Sequence, residues 1–269
     1  PHIVREIVDS IKNAAKNAKA DVCVIELGGT VGDIESMPFM EAARLLGREE
    51  GRENVMFIHT TLVPVVGSVG EQKTKPTQHS VRELRASGII PDLVVCRSES
   101  SLNDETKEKL AQFCHVSKDA VISAHDVSNI YRVPLLLEEQ GVQKLLGDKL
   151  KLSVSPNNTM LEEWKEMAKN VDSISESVHI AMVGKYTGLS DSYLSVIKAL
   201  QHASFAVGRE LVIDWIEASN LENKVETENP KAYQDSWGLL EKADGILVPG
   251  GFGDRGTEGK ILAAKYARE

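Results

Sequence analysis

With 31 lysines and arginines against 40 aspartates and glutamates in 269 residues, the chain has no broad basic surface to offer nucleic acid or an anionic membrane. Its formal net charge is −9, so any positive charge used on a ligand must act locally, and small anions or proteins are the expected partners. No apolar run approaches the length of a membrane span and no signal peptide opens the sequence, so a cytoplasmic enzyme is expected. Cysteine is scarce, and three cannot all pair. Cys23 and Cys96 lie in apolar runs, where a thiol behaves as a small hydrophobe, and both are expected in the core. Cys114 precedes His115, but adjacent residues on a helix point in different directions, so a structural role is expected rather than a Cys/His dyad. None of the three has metal-ligand spacing. Internal repeats and low-complexity tracts are also lacking. The composition, 42% hydrophobic and 26% charged, suits one large domain or two smaller ones, and two are favoured.

What is present is an alternation of short runs rich in valine and isoleucine with helical patterns. Residues 21–27, 55–61, 92–96 and 120–123 are predicted as buried parallel strands. Val4, Ile7, Val8 and Ile11 repeat at helical spacing before the first run, as do Phe39, Ala42, Ala43 and Leu46 after it. The class is therefore α/β, a parallel sheet covered by helices. After Gly147 the texture turns polar. Residues 151–177, with one helix carrying Leu161, Trp164 and Ala168 on a face, are read as a connector between domains at 1–150 and 178–269. A second series follows, with strands at 178–183, 211–216 and 245–248 and a helical stripe of Tyr193, Val196, Ile197 and Leu200. The chain starts at Pro1 and stops at Glu269 within a helical pattern, so the expectation is a piece of something longer.

Lys73, Thr74, Lys75, Pro76, Thr77 and Gln78 are consecutive and read as a polyphosphate clamp. Pro76 suits the first position of a helix running through Gly88, because its missing N–H is not needed there. The free N–H groups at that helix start would be joined by two mobile ammonium groups, with Thr74, Thr77 and Gln78 as uncharged donors. A lone Lys-x-Lys would be only a solvated loop. Glu26 closes the first predicted strand and is followed by the glycine-rich turn 28–36, where backbone can approach a ligand. A carboxylate buried there without a cation would cost on the order of several kcal/mol. A magnesium ion beside a triphosphate and a simple turn cap remain equal alternatives. Asp33 and Glu35 can share one side of an extended segment, or Asp33 and Ser36 can start the next helix. Taken alone, Lys109 reads as a surface lysine and His125 as a loop residue. Residues 251–256 match G-x-G-x-x-G, but the preceding strand comes late in its domain and Pro249 interrupts the junction, which argues against a dinucleotide site. A glycine turn needed only for tight packing is the bland alternative. Gly184 and Lys185 fail the Walker pattern, because His179 stands where glycine is required and Tyr186 follows the lysine.

The turn 26–36, the clamp 73–78, residues 121–134 and the later 249–256 occur in this order in CTP synthases, and the chain resembles that family over its whole length. The resemblance implies a P-loop-type amidoligase domain followed by the first part of a class I glutaminase domain. It implies ATP-dependent phosphorylation of the C4 oxygen of UTP, then displacement by ammonia from glutamine to give CTP, the last step of de novo pyrimidine nucleotide synthesis. It makes Glu26 a Mg²⁺ ligand and places Asp33, Ile34 and Glu35 against CTP, the feedback inhibitor. Lys73, Thr74, Lys75, Pro76, Thr77, Gln78 and Lys109 would hold UTP or CTP, and His125, Asp126 and Val127 would line the ATP site. Gly250, Gly251 and Phe252 would meet glutamine, with backbone N–H groups facing the developing oxyanion. GTP as an activator, a homotetramer, an internal ammonia path and filaments are implied as well. No Gly-x-Cys-x-Gly elbow occurs, so the glutaminase cysteine, histidine and glutamate are expected beyond Glu269, and the phosphate loop before Pro1. No catalytic residue is expected within the chain, and alone it is expected to be inactive. The rivals are another glutamine-dependent amidoligase, such as a cobyric acid synthase, which has no reason to keep the clamp, and a non-catalytic nucleotide-binding or filament-forming scaffold.

Overall fold

The structure, a computed structural model, describes residues 1–67, 70–153, 157–185, 187–188 and 190–269, the side chains of 190 and 191 excepted. It divides into two compact units, Pro1–Lys165 and Glu166–Glu269. The connector expected at 151–177 is shared between them, and its residues 154–156 lie outside the described set.

The first unit opens with α1 (His2–Ala18) and α2 (Met37–Glu49), whose apolar stripes meet along Val4, Ile7, Val8 and Ile11 on one side and Ala42, Leu45 and Leu46 on the other. Glu49 on α2 receives Arg5 and Lys12 of α1 at 2.8 Å each. Hydrogen bonds from those two cations hold its carboxyl down at about 2. Residues 21–27, expected to be the first strand, are not one: the run has no ladder partner among the described residues, and Val24 is 91% exposed. Cys23, expected in the core, is likewise exposed. β-branched residues form a strand only where a neighbouring edge takes their N–H and C=O groups.

The parallel sheet is built from β1 (Ile58–Leu62), β4 (Leu93–Ser98) and β5 (Val121–His125), in the order β1-β4-β5. Between the first two lie an antiparallel ribbon, β2 (Val65–Val66) with β3 (Glu71–Gln72), and helix α3 (Lys75–Ala86). Helix α4 (Asp104–Cys114) joins β4 to β5, and α5 (Val133–Glu139), α6 (Val142–Leu150) and α7 (Asn158–Ser173) follow. Cys96 and Cys114 pack with Val63, Val81, Val94 and Leu110 as the sequence led one to expect. Burial pushes their thiols up to about 12 and about 11. The outer edge of β5 is closed by one side chain. Gln140 Oε1 accepts the Ser123 N–H at 2.8 Å, and its Nε2 donates to the Ser123 carbonyl at 2.9 Å.

In the second unit, β6 (Ser177–Gly184), β7 (Glu210–Glu217) and β8 (Gly245–Leu247) form a parallel sheet ordered β7-β6-β8, each close to its predicted position. Helices α8 (Leu194–Ala206), α9 (Asn223–Glu228), α10 (Pro230–Lys242) and α11 (Thr257–Arg268) complete it. Val183, Ile216, Leu221, Leu240 and Ala263 are core residues. Gly259 on α11 sits so close to the 218–221 segment that a Cβ there would overlap the Ala218 carbonyl.

Candidate functional site

Parallel pairing puts the carboxyl ends of β1, β4 and β5 on one edge, with Leu62 opposite Arg97 and Ser98 opposite His125. Ligands of open α/β sheets bind outside such an edge. The chain leaves β1 there, runs through the β2-β3 ribbon and returns, Lys73 N–H donating to Pro64 O at 2.9 Å. α3 therefore starts beside the end of β1. Its first residue is Lys75, one earlier than expected, with Thr74 as N-cap and Pro76 second; it ends at Ala86, and Gly88 takes φ +81° beyond it. Proline is tolerated at that second position for the same reason as at the first, since the first-turn N–H groups have no intrahelical acceptor.

Within the clamp the side chains divide their work. Thr77 is fully buried; its hydroxyl donates to Leu62 O at 3.2 Å and accepts from Thr61 Oγ1 at 3.2 Å. That corrects the expectation of Thr77 as a side-chain donor, for a hydroxyl has one hydrogen and this one is spent on the sheet. Thr74 is buried too, and Gln78 Nε2 donates to its Oγ1 at 2.9 Å. Lys73 meets Glu71 at 2.6 Å with 43% of its side chain exposed, an exchangeable surface pair worth about 0–1 kcal/mol. Lys75 is exposed and forms no ion pair among the described residues. Beneath them lies a network that no sequence pattern announced: His59 Nε2 lies 2.8 Å from Ser80 Oγ, which donates to Thr77 O at 3.1 Å. Burial lowers the His59 pKa below the ordinary histidine range.

The ends of β4 and β5 supply the neighbouring loop. His125 is the last residue of β5 rather than a loop residue, its Nδ1 3.2 Å from Ser123 Oγ. Asp126 N–H donates to Ser98 O at 3.1 Å, and its carboxylate takes Arg97 at 2.7 Å. Arg97 also donates to the Ala124 carbonyl. Val127 follows, partly buried. The Ser98 hydroxyl is buried with no partner among the described residues. Sequence reasoning missed Arg97 and Ser98, although their place at a strand's carboxyl end was a usable signal. Lys109 is exposed on α4. Gln72 ties the ribbon to the loop before that helix, donating to Ser101 O at 2.8 Å and accepting from Asn103 N at 3.1 Å.

The glycine-rich turn stands outside this sheet. Gly29 and Gly32 adopt φ of +86° and +101°, where a Cβ is strained, so the glycines are required. Ile34–Ser36 is a 3₁₀ turn leading into α2, with Asp33 as N-cap, which corrects the extended reading of Asp33 and Glu35 in favour of the helix start. Asp33 Oδ2 accepts Thr30 N–H at 3.0 Å, and Ser36 Oγ donates to Asp33 O at 2.9 Å. Ile34 is 83% exposed, and Glu35 and Glu26 are exposed as well. The Glu26 carboxylate lies over Gly28, 3.7 Å from where a Cβ would stand, and that of Asp33 lies 3.6 Å from the same point on Gly29. No group of three or more metal-ligating side chains occurs among the described residues. An exposed carboxylate over a glycine turn nevertheless fits a magnesium ion, which takes one or two carboxylates and fills the rest of its shell with phosphate oxygens and water.

In the second unit, Pro249, Gly250, Gly251 and Phe252 follow β8, and Phe252 is 91% exposed. Lys260 Nζ donates to Pro249 O at 2.7 Å. Lys185 Nζ donates to Phe252 O at 3.3 Å and also to Gly253 O. The carbonyls of Pro249, Phe252 and Gly253 are thus taken by lysines, and the N–H groups of residues 250–253 have no acceptor among the described residues. Such a row of free N–H groups suits an anion or a developing oxyanion.

Residues 1–152 match the family described as CTP synthase N-terminus, and residues 188–269 match glutamine amidotransferase class-I. A CTP synthase of Dictyostelium discoideum is 53% identical over 288 residues, covering 100% of this chain and 50% of that protein. CTP synthase 2 of Saccharomyces cerevisiae is 50% identical, covering 100% of the chain and 49% of the relative. For human CTP synthase 1 the figures are 52%, 100% and 46%. The chain thus spans about half the length of the curated relatives it matches.

Proposed function

The chain belongs to the CTP synthase family, and on that premise we propose that the protein aminates UTP to CTP, using ATP and ammonia released from glutamine. Amidoligase residues are assigned to 1–150, a connector to 151–177 and glutaminase residues to 178–269. The observation that carries the reading is the shared sheet edge, where the lysine-bearing start of α3 and His125, with the Asp126–Val127 segment after it, both stand. A carbonyl oxygen on a pyrimidine is a poor leaving group. Transfer of the γ-phosphoryl group from ATP to the C4 oxygen, with release of ADP, makes it a good one. Ammonia then adds at C4, loses a proton, and inorganic phosphate departs with the former carbonyl oxygen. That chemistry asks for positioning and charge neutralisation more than for a protein nucleophile.

Lys73, Lys75 and the free N–H groups of α3 would hold the UTP triphosphate, together with Lys109 of α4, the helix whose N-cap residue Asn103 donates to Gln72. Arg97 and Asp126 pair at the end of β5, where His125, Asp126 and Val127 would line the ATP site. Magnesium at Glu26 would neutralise phosphate charge. Ile34 and Glu35, exposed, and Asp33, half-buried at the start of the 3₁₀ turn, would meet CTP as the feedback inhibitor. Gly250, Gly251 and Phe252 would receive glutamine. GTP activation, a homotetramer that can stack into filaments, and a cytoplasmic location belong to the same proposal.

The test is to express the complete reading frame and assay UTP, ATP, Mg²⁺ and glutamine for CTP. Formation of CTP is expected with glutamine or ammonia. Amination of a carboxylate substrate with no CTP would favour a different amidoligase, and nucleotide binding without turnover would favour a scaffold.

A further inference from the structure

We propose that Lys260 and Lys185 are positioning residues that hold the 249–253 turn in the orientation glutamine hydrolysis needs. The inference rests on the glutaminase reading above. In a trans peptide the carbonyl and the following N–H point in opposite directions. Anchoring Pro249 O on Lys260 at 2.7 Å therefore turns the Gly250 N–H away from the protein interior. Anchoring Phe252 O and Gly253 O on Lys185 does the same for the N–H groups of Gly253 and Asp254. Between the two anchors lie the peptides that present Gly251 and Phe252.

Four further observations fit this arrangement. Lys185 is only 3% exposed and makes no ion pair among the described residues, so its buried ammonium is met by carbonyl dipoles of the turn. A buried charge satisfied this way costs stability that an aliphatic side chain would not. Its own carbonyl is held by Arg255, which Glu217 steadies at 3.5 Å. A Cβ at Gly251 would stand 3.2 Å from Lys185 Cδ and 3.4 Å from Lys260 Nζ, so both lysines lie against the inner face of the turn. Burial, and then the neighbouring Lys185, push Lys260 below the ordinary lysine range. The fold keeps two like charges together where both can reach carbonyls of one turn.

Flipping the 249–250 peptide would point a carbonyl where an oxyanion must form. Losing an oxyanion donor typically lowers kcat by about 10²–10³, and a turn that is loosened rather than flipped should lose about 10–100-fold. The experiment uses the protein from its complete reading frame, with Lys260→Met and Lys185→Met. Glutamine hydrolysis is expected to fall about 10–100-fold in kcat with KM changed less than about threefold, while ammonia-driven CTP formation stays at the wild-type rate. Lys260→Arg, which keeps a donor in reach of Pro249 O, should recover most of the activity. Wild-type glutaminase kcat in Lys260→Met would overturn the inference. So would equal loss of the ammonia-driven reaction, the mark of a general structural role. If a methionine variant melts early, its kcat is read at a temperature below its transition, under the same criteria. A wild-type protein that hydrolyses no glutamine would instead overturn the reading on which the inference rests.

Discussion

Two substitutions two residues apart should separate binding from stability in the clamp. Lys75→Ala removes an exposed ammonium that makes no hydrogen bond or ion pair among the described residues. Its loss should leave the melting temperature within about 2 °C, since surface changes are usually within about 0.5 kcal/mol. A charge-assisted contact to phosphate is worth about 1.5–3 kcal/mol, so UTP affinity should fall about 10–150-fold. Thr77→Val keeps the shape and the backbone N–H but deletes a hydroxyl that donates to Leu62 O and accepts from Thr61. Leu62 O and Thr61 Oγ1 lose this partly buried partner, Thr61 keeping Ser80 Oγ at 3.4 Å, at about 1–3 kcal/mol. For a unit running from Pro1 to Lys165, at about 2–4 °C per kcal/mol, the melting temperature should drop roughly 2–12 °C. UTP affinity measured below the transition should change less than about threefold, because the N–H groups of α3 remain. Calorimetric titration with UTP beside differential scanning calorimetry reads both quantities. Unchanged UTP binding in Lys75→Ala, or a Thr77→Val protein that melts like wild type yet binds UTP as poorly as Lys75→Ala, would refute the division of roles.

Gly259→Ala should destabilise the second unit by more than about 3 kcal/mol, because the added methyl overlaps backbone at Ala218 rather than a side chain that can swing away; a melting temperature equal to wild type would refute that contact. Titration of native protein with a thiol reagent should find Cys23 alone reacting quickly, with Cys96 and Cys114 reacting on unfolding. The two buried thiols have native pKa values near 12 and 11, above the ordinary value of about 8.5. The native state therefore holds their protons more tightly. The stability this contributes is complete below about pH 8.5 and is lost as pH rises through 11 and 12, so unfolding by denaturant should become easier across that window. A flat profile between pH 8.5 and 11 in which Cys96→Ala makes no difference would count against their burial.

Sequence alone located β4, β5 and all three strands of the second sheet, because dense valine and isoleucine between polar loops state a demand for burial on both faces. It also located the seam of α1 and α2, where apolar residues recur at helical spacing, and the glycine-rich turn, where only glycine accepts φ near +90°. The same signal misled at residues 21–27, since composition states that a run prefers a ladder and not whether an edge stands beside it. Asp33 and Glu35 looked free to share a side until the 3₁₀ turn claimed the backbone between them. Thr77 read as a ligand donor because its acceptor, Leu62 O, is fixed by the return of the ribbon to β1. Arg97 finds Asp126, and Lys185 and Lys260 converge on one turn, only because parallel strands bring distant segments to a common edge. Periodicity and turn chemistry are local and legible in the chain itself; which polar group satisfies which is a property of the packed molecule, where each buried donor has few acceptors within reach.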